Sequence, residues 1–147
     1  MFDYQSHFKS LITSLKDEGR YRYFATLQRH CGNFPQATYT HTDGSEKEVT
    51  IWCSNDYLGM GQKPVVMDAM YDAIQKSGCG AGGTRNISGT TIYHRELEKS
   101  VADLHNKEAG LVFSSGYDSN EGSLSTLGKL LPDCVIFSDE LNHASMI

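Results

Sequence analysis

Between positions 78 and 91 the chain reads GCGAGGTRNISGTT, and five of its 14 glycines fall there, threaded with hydroxyls, an amide and one arginine. Glycine at that density lets the backbone take positive φ or come close to another group. Thr84, Arg85, Asn86, Ser88, Thr90 and Thr91 supply donors suited to a ligand carboxylate. The rival reading is a loop that is only a turn. No GxxxxGKS/T occurs, and the GxGxxG lookalike at Gly78, Gly80 and Gly83 follows a helical pattern and not a strand, so neither a Walker loop nor a dinucleotide loop is expected.

A second candidate is Ser114-Ser115-Gly116-Tyr117, which opens a helical pattern after an apolar run. Unpaired N–H groups and the positive end of the helix dipole there suit a phosphate, whereas Ser115 as a simple N-cap is the alternative. His143 follows a second apolar run, at the edge where open α/β sheets bind ligands; a satisfied structural histidine is the alternative. Arg22 lies between aromatics in RYRYF, either stacked on tyrosine or clamping a carboxylate. Cys31, Cys53, Cys79 and Cys134 form no CxxC pair, so no zinc site is expected and a reducing compartment is. No Ser/His/Asp order or paired carboxylates stand out.

The elements that must position these groups follow from periodicity. Phe8, Leu11, Ile12 and Leu15 mark a helix ending near Gly19. A hairpin is expected from Thr38–His41, the Asp43-Gly44 turn and Val49–Cys53. Val65, Val66, Ala69, Met70, Ala73 and Ile74 mark a helix from Pro64 to Gly78, Leu97, Val101 and Leu104 another, and Leu124, Leu127 and Leu130 a third. Gly110–Ser114 and Val135–Ser138 read as strands, so a parallel α/β sheet opens here. Two such strands do not complete a sheet, and the chain is expected to be the front of a longer protein.

Composition bounds the partners. The 147 residues, 39% hydrophobic and 21% charged, are those of a globular protein, expected to bury about 70% of the extended surface if folded alone. A net charge of −5 with no basic run excludes a sequence-independent grip on nucleic acid. No apolar run reaches the roughly 18 residues a bilayer requires, and the first twenty residues carry no signal or transit pattern, so no membrane partner and a cytosolic location are expected. From residues alone the chain is an anion-binding α/β protein.

Taken in order, GRYRYF (19–24), WCSNDYLGMGQKPVV (52–66), GCGAGGTRNISGTTIYHRELE (78–98), LVFSSGYDSN (111–120) and SDELNHASMI (138–147) resemble the α-oxoamine synthases over nearly the whole chain from about Leu15. The run GGTRNISGTT resembles the branch that joins glycine to succinyl-CoA. The siblings that make 7-keto-8-aminopelargonate or 2-amino-3-ketobutyrate are the alternative, as is a non-catalytic module.

The resemblance implies an α/β, fold type I (aspartate aminotransferase-like) transferase that uses pyridoxal 5'-phosphate and works as a homodimer with a shared site. Residues 1–60 would be an N-terminal arm, and 61–147 a linker helix, the glycine-rich loop and the first part of the large domain. By the same resemblance His143 would stack on the cofactor ring, and the N–H groups of Gly116 and Tyr117 would take its phosphate. Arg22, Thr84 and Asn86 would hold the distal carboxylate of the succinyl group. Ser138 would contact the acyl-CoA, Asn55 would lie near the glycine carboxylate, and Ile87 would line the acyl pocket. The family's catalytic lysine would fall beyond 147, leaving no catalytic residue within this chain. One departure is Asp118, where the family usually has an apolar residue; an acid facing a phosphate would repel it. The missing Cys-Pro dipeptide and presequence imply a bacterial cytoplasmic enzyme.

Overall fold

A computed structural model describes residues 2–147, which fall into two compact units that divide between Gly78 and Cys79. The helix after Pro64, grouped above with the later residues, clusters with the earlier ones.

In the first unit, helix α1 (Tyr4–Asp17) starts where Asp3 Oδ1 accepts from Ser6 N at 3.0 Å and stops before Gly19, whose φ is 67°. The expected hairpin forms from β2 (Gln36–Thr40) and β3 (Glu46–Thr50), with Ala37 opposite Val49 and Asp43 Oδ1 accepting from Ser45 N at 2.9 Å in the turn. Its second strand ends at Thr50, short of Cys53. An additional strand, β1 (Thr26–Arg29), pairs with the free edge of β2 and makes a three-stranded antiparallel sheet. Ala37, fully buried, sits on the central strand.

Helix α2 (Pro64–Ser77) has the expected punctuation, proline at its first position and Gly78 at φ 74° after its last. The loop before it is tied to the sheet. Arg29 Nη2 donates to Asp56 Oδ2 at 2.8 Å, its guanidinium lies 4.7 Å from the Phe34 ring centroid, and Gly32 N donates to Gln62 Oε1 at 2.9 Å.

The second unit holds a five-residue π-type turn (Arg85–Gly89), α3 (Ile92–Leu104), α4 (Gly116–Leu130) and a short 3-10 turn (Ala144–Met146). The strands expected at 110–114 and 135–138 are not formed. Neither run has regular secondary structure, and neither pairs with a strand among the described residues. A strand exists only through a neighbour that takes its N–H and C=O groups. At Val112 side chains take that place: its N–H donates to Glu98 Oε1 at 3.0 Å and its carbonyl accepts from Arg85 Nη1 at 3.0 Å.

The burial that this length would allow a chain folding alone is not reached. The accessible surface is 13113 Å². A folded monomer of 16.3 kDa would expose about 7,500 Å² and the extended chain about 24,000 Å². Burial is therefore about 45% of the extended surface, well below the roughly 70% of a self-sufficient domain. Ala37 in the first unit and Ala102 in the second are the buried apolar side chains among the described residues.

Candidate functional site

The glycine-rich stretch answers its own question twice. Gly78, Gly80 and Gly82 have φ of 74°, 82° and 73°, the left-handed region that side chains disfavour. Gly89 has no such φ. A Cβ there would lie 1.8 Å from the Gly83 carbonyl oxygen, and one on Gly83 would lie 2.8 Å from Ser88 Oγ. Space is taken by the loop's own backbone, which folds so that Gly89 N donates to Thr84 O at 2.8 Å.

Self-closure puts Thr84 and Asn86 side by side, Thr84 Oγ1 donating to Asn86 Oδ1 at 2.9 Å, and leaves both exposed. Ile87 is 82% exposed on the same turn. Arg85, between them, turns the other way: Nη1 donates to Glu98 Oε1 at 2.6 Å, and Nε to Thr90 Oγ1 at 3.3 Å. The loop's only arginine is therefore spent inside the unit. Glu98 is pulled to a pKa of about 2, chiefly by Arg85 and then by the Val112 N–H.

At the start of α4, Ser115 is the N-cap, its hydroxyl accepting from Asp118 N at 3.1 Å. The N–H groups of Gly116 and Tyr117 lie in the first turn and find no acceptor among the described residues, and a Cβ on Gly116 would meet nothing within 4 Å. The cap therefore leaves these two N–H groups free, because it uses the N–H of Asp118. Asp118 folds back to accept from Ser114 Oγ, which holds its carboxyl below the ordinary value. Its charge stays within the helix's first turn.

His143 Nδ1 accepts from Ser145 N at 3.1 Å and lies 2.7 Å from Ser145 Oγ. Ser145, the one buried polar residue among those described, also accepts from Asn120 Nδ2 of α4 at 2.8 Å. The Nδ1 acceptor role fixes the tautomer with its proton on Nε2 and leaves the ring exposed. Ser138 Oγ accepts from Asn142 Nδ2 at 3.1 Å.

The structure thus groups Thr84, Asn86 and Ile87 on one turn, Gly116 and Tyr117 at one helix start, and Ser138 and His143 on the last segment, all in the second unit. Arg22 and Asn55 belong to the first unit; both are exposed, and Arg22 has no ion-pair partner among the described residues. Glu98, Asn120 and Ser145 were not singled out from sequence, since each acts through a partner 13 to 25 residues away and no periodicity marks that.

The family model of aminotransferase class I and II matches residues 47–147. The chain belongs to that family. A 5-aminolevulinate synthase from Paracoccus denitrificans is 57% identical over 145 residues, 99% of this chain and 36% of that protein. The chain spans about a third of the length of such curated relatives. A serine palmitoyltransferase (SPT) structure from Sphingomonas wittichii superposes with a TM-score of 0.69 at 28% identity, covering 86% of this chain and 31% of that one. An SPT structure with pyridoxal phosphate gives 0.70 at 27%, covering 98% and 35%. The resemblance and the fold class read from the motifs are borne out. No helix among the described residues is long and apolar enough to cross a membrane.

Proposed function

We propose that this chain is part of a pyridoxal phosphate-dependent acyltransferase that condenses glycine with succinyl-CoA to 5-aminolevulinate, CoA and carbon dioxide, a 5-aminolevulinate synthase feeding tetrapyrrole synthesis. The observation that carries this reading is the 57% identity to an enzyme of that name, against 27% and 28% to the serine palmitoyltransferase structures.

The residues fit a phosphate-bearing cofactor: two free N–H groups at the start of a 15-residue helix, with open space at Gly116, suit a phosphate. Pyridoxal phosphate, when bound, supplies an electron sink for the carbanion left when glycine loses an α-proton. Gly116 and Tyr117 bind the phosphate, and His143, with Nδ1 already engaged, presents its ring face to the cofactor. Arg22, Thr84 and Asn86 hold the distal carboxylate of the succinyl group, a task suited to a guanidinium with a hydroxyl and an amide. Asn55 lies near the glycine carboxylate, Ser138 contacts the acyl-CoA, and Ile87 excludes water from the acyl chain. The complete enzyme is a cytoplasmic bacterial homodimer whose site draws on both protomers.

The test is CoA release by the full-length protein given glycine and succinyl-CoA. Arg22→Leu is expected to lower kcat/KM for succinyl-CoA roughly 10- to 100-fold, the value of a hydrogen-bonded charge, and to leave cofactor affinity unchanged. Release of CoA only with serine and a long-chain acyl-CoA would overturn the reading.

A further inference from the structure

The residue that the sequence made most conspicuous in the glycine-rich loop is the one whose charge is already neutralised. Arg85 Nη1 reaches Glu98 Oε1 at 2.6 Å and the Val112 carbonyl at 3.0 Å, while the same Glu98 oxygen accepts from Val112 N at 3.0 Å. Thr90 Oγ1 closes the other side, donating to the Arg85 carbonyl at 2.6 Å. A Cβ on Gly110 would lie 2.7 Å from the Glu98 carbonyl oxygen, so the 110–112 backbone runs against α3 at the residue that receives Arg85. The Glu98 side chain is 13% exposed and that of Arg85 34%. Three segments, the loop, the helix and the run 110–112, meet at one ion pair.

We propose that Arg85 and Glu98 form a latch that positions Thr84 and Asn86 for the distal carboxylate of the acyl substrate. The inference deepens the function proposed above and rests on it. Arg85 stands between Thr84 and Asn86 in the chain, so anchoring its guanidinium and its carbonyl restrains the backbone that carries both. Glycine-rich backbone from 78 to 83 cannot do this work, because it carries no side chain to anchor except those of Cys79 and Ala81. The latch also gives the Val112 backbone, two residues before Ser114, the partners a neighbouring strand would otherwise supply. Both arms that carry proposed ligand groups, 84–87 and 114–117, are therefore registered on α3.

The experiment uses the full-length enzyme with Glu98→Gln and, as a second variant that keeps the charge but lacks the fork, Arg85→Lys. Three quantities are read: amide hydrogen exchange over 84–90 without ligand, cofactor affinity by absorbance titration, and the kcat/KM ratio of succinyl-CoA over butyryl-CoA, which lacks the distal carboxylate. Glu98→Gln is expected to speed exchange over 84–90 and to lower the ratio about 10- to 100-fold, mainly through KM, as a misplaced positioning loop does. Arg85→Lys should fall between wild type and Glu98→Gln, and cofactor affinity should stay at wild type in both. Unchanged exchange overturns the latch whatever the substrate is. Faster exchange with an unchanged ratio, or with a matching fall in cofactor affinity, overturns the positioning role. A wild-type enzyme indifferent to the distal carboxylate overturns the proposal through its substrate and not through its latch.

Discussion

Gly89 shows what a single missing side chain does in this molecule. Its φ is ordinary, so alanine would be tolerated by the torsion but not by the space, because the Gly83 carbonyl oxygen lies 1.8 Å from where the added methyl carbon would sit. Gly89→Ala is expected to cost about 1–3 kcal/mol, typical of forced overpacking, and to open the Arg85–Gly89 turn. Thermal melting of the full-length protein checks the first and hydrogen exchange over 84–90 the second. Ser145 supports the opposite kind of argument, a buried hydroxyl beside the ring proposed to face the cofactor. Ser145→Ala removes the Oγ that joins Asn120 to His143 but keeps the backbone N–H donating to Nδ1. The expected result is a loosened His143 ring and a cofactor affinity roughly 5- to 10-fold weaker, the worth of one net hydrogen bond. Absorbance titration of the variant measures it, and wild-type affinity would show that the backbone N–H alone suffices.

At the scale of elements, much was legible because the signals are local. Pro64 and Gly78 punctuate α2 in the sequence, and the Leu124, Leu127 and Leu130 spacing marks α4. Of the two readings of Ser115, the cap is formed with Asp118 N, and the N–H groups that the phosphate reading needs, those of Gly116 and Tyr117, stay free. β1 escaped because TLQR holds one apolar residue and exists only by pairing with β2. The runs at 110–114 and 135–138 misled for the converse reason: β-like composition specifies a surface that fits a sheet, and pairing needs a neighbour as well. The Arg85–Glu98 contact joins a loop to a helix 13 residues on, and it sets a pH response that composition could not suggest. Glu98 has its pKa lowered from 4.5 to about 2 in the folded chain, so its contribution is complete above 4.5 and is lost as pH falls through about 2. Exchange over 84–90, corrected for its intrinsic pH dependence, should therefore hold level down to pH 4.5 and accelerate below it. In Glu98→Gln the curve should be flat.

The whole molecule adds a constraint that neither loop nor helix reveals. Phe24, Trp52, Phe137 and Leu141 are 98%, 93%, 95% and 90% exposed, and the apolar face of α1 is uncovered along its length. An accessible area of 13113 Å², against about 7,500 Å² for a monomer of this mass, leaves more apolar surface in water than a soluble domain carries. The unpaired runs at 110–114 and 135–138 add backbone groups open to pairing with another chain. The 147 residues prepared alone are therefore expected to self-associate, to bind a hydrophobic dye and to melt without a cooperative transition. Size-exclusion chromatography with light scattering, followed by calorimetry, measures this directly. A monodisperse monomer with a sharp melt would mean that these side chains find partners within the chain in solution. Association instead would mean that Phe24, Trp52, Phe137 and Leu141 need a further apolar surface to cover them.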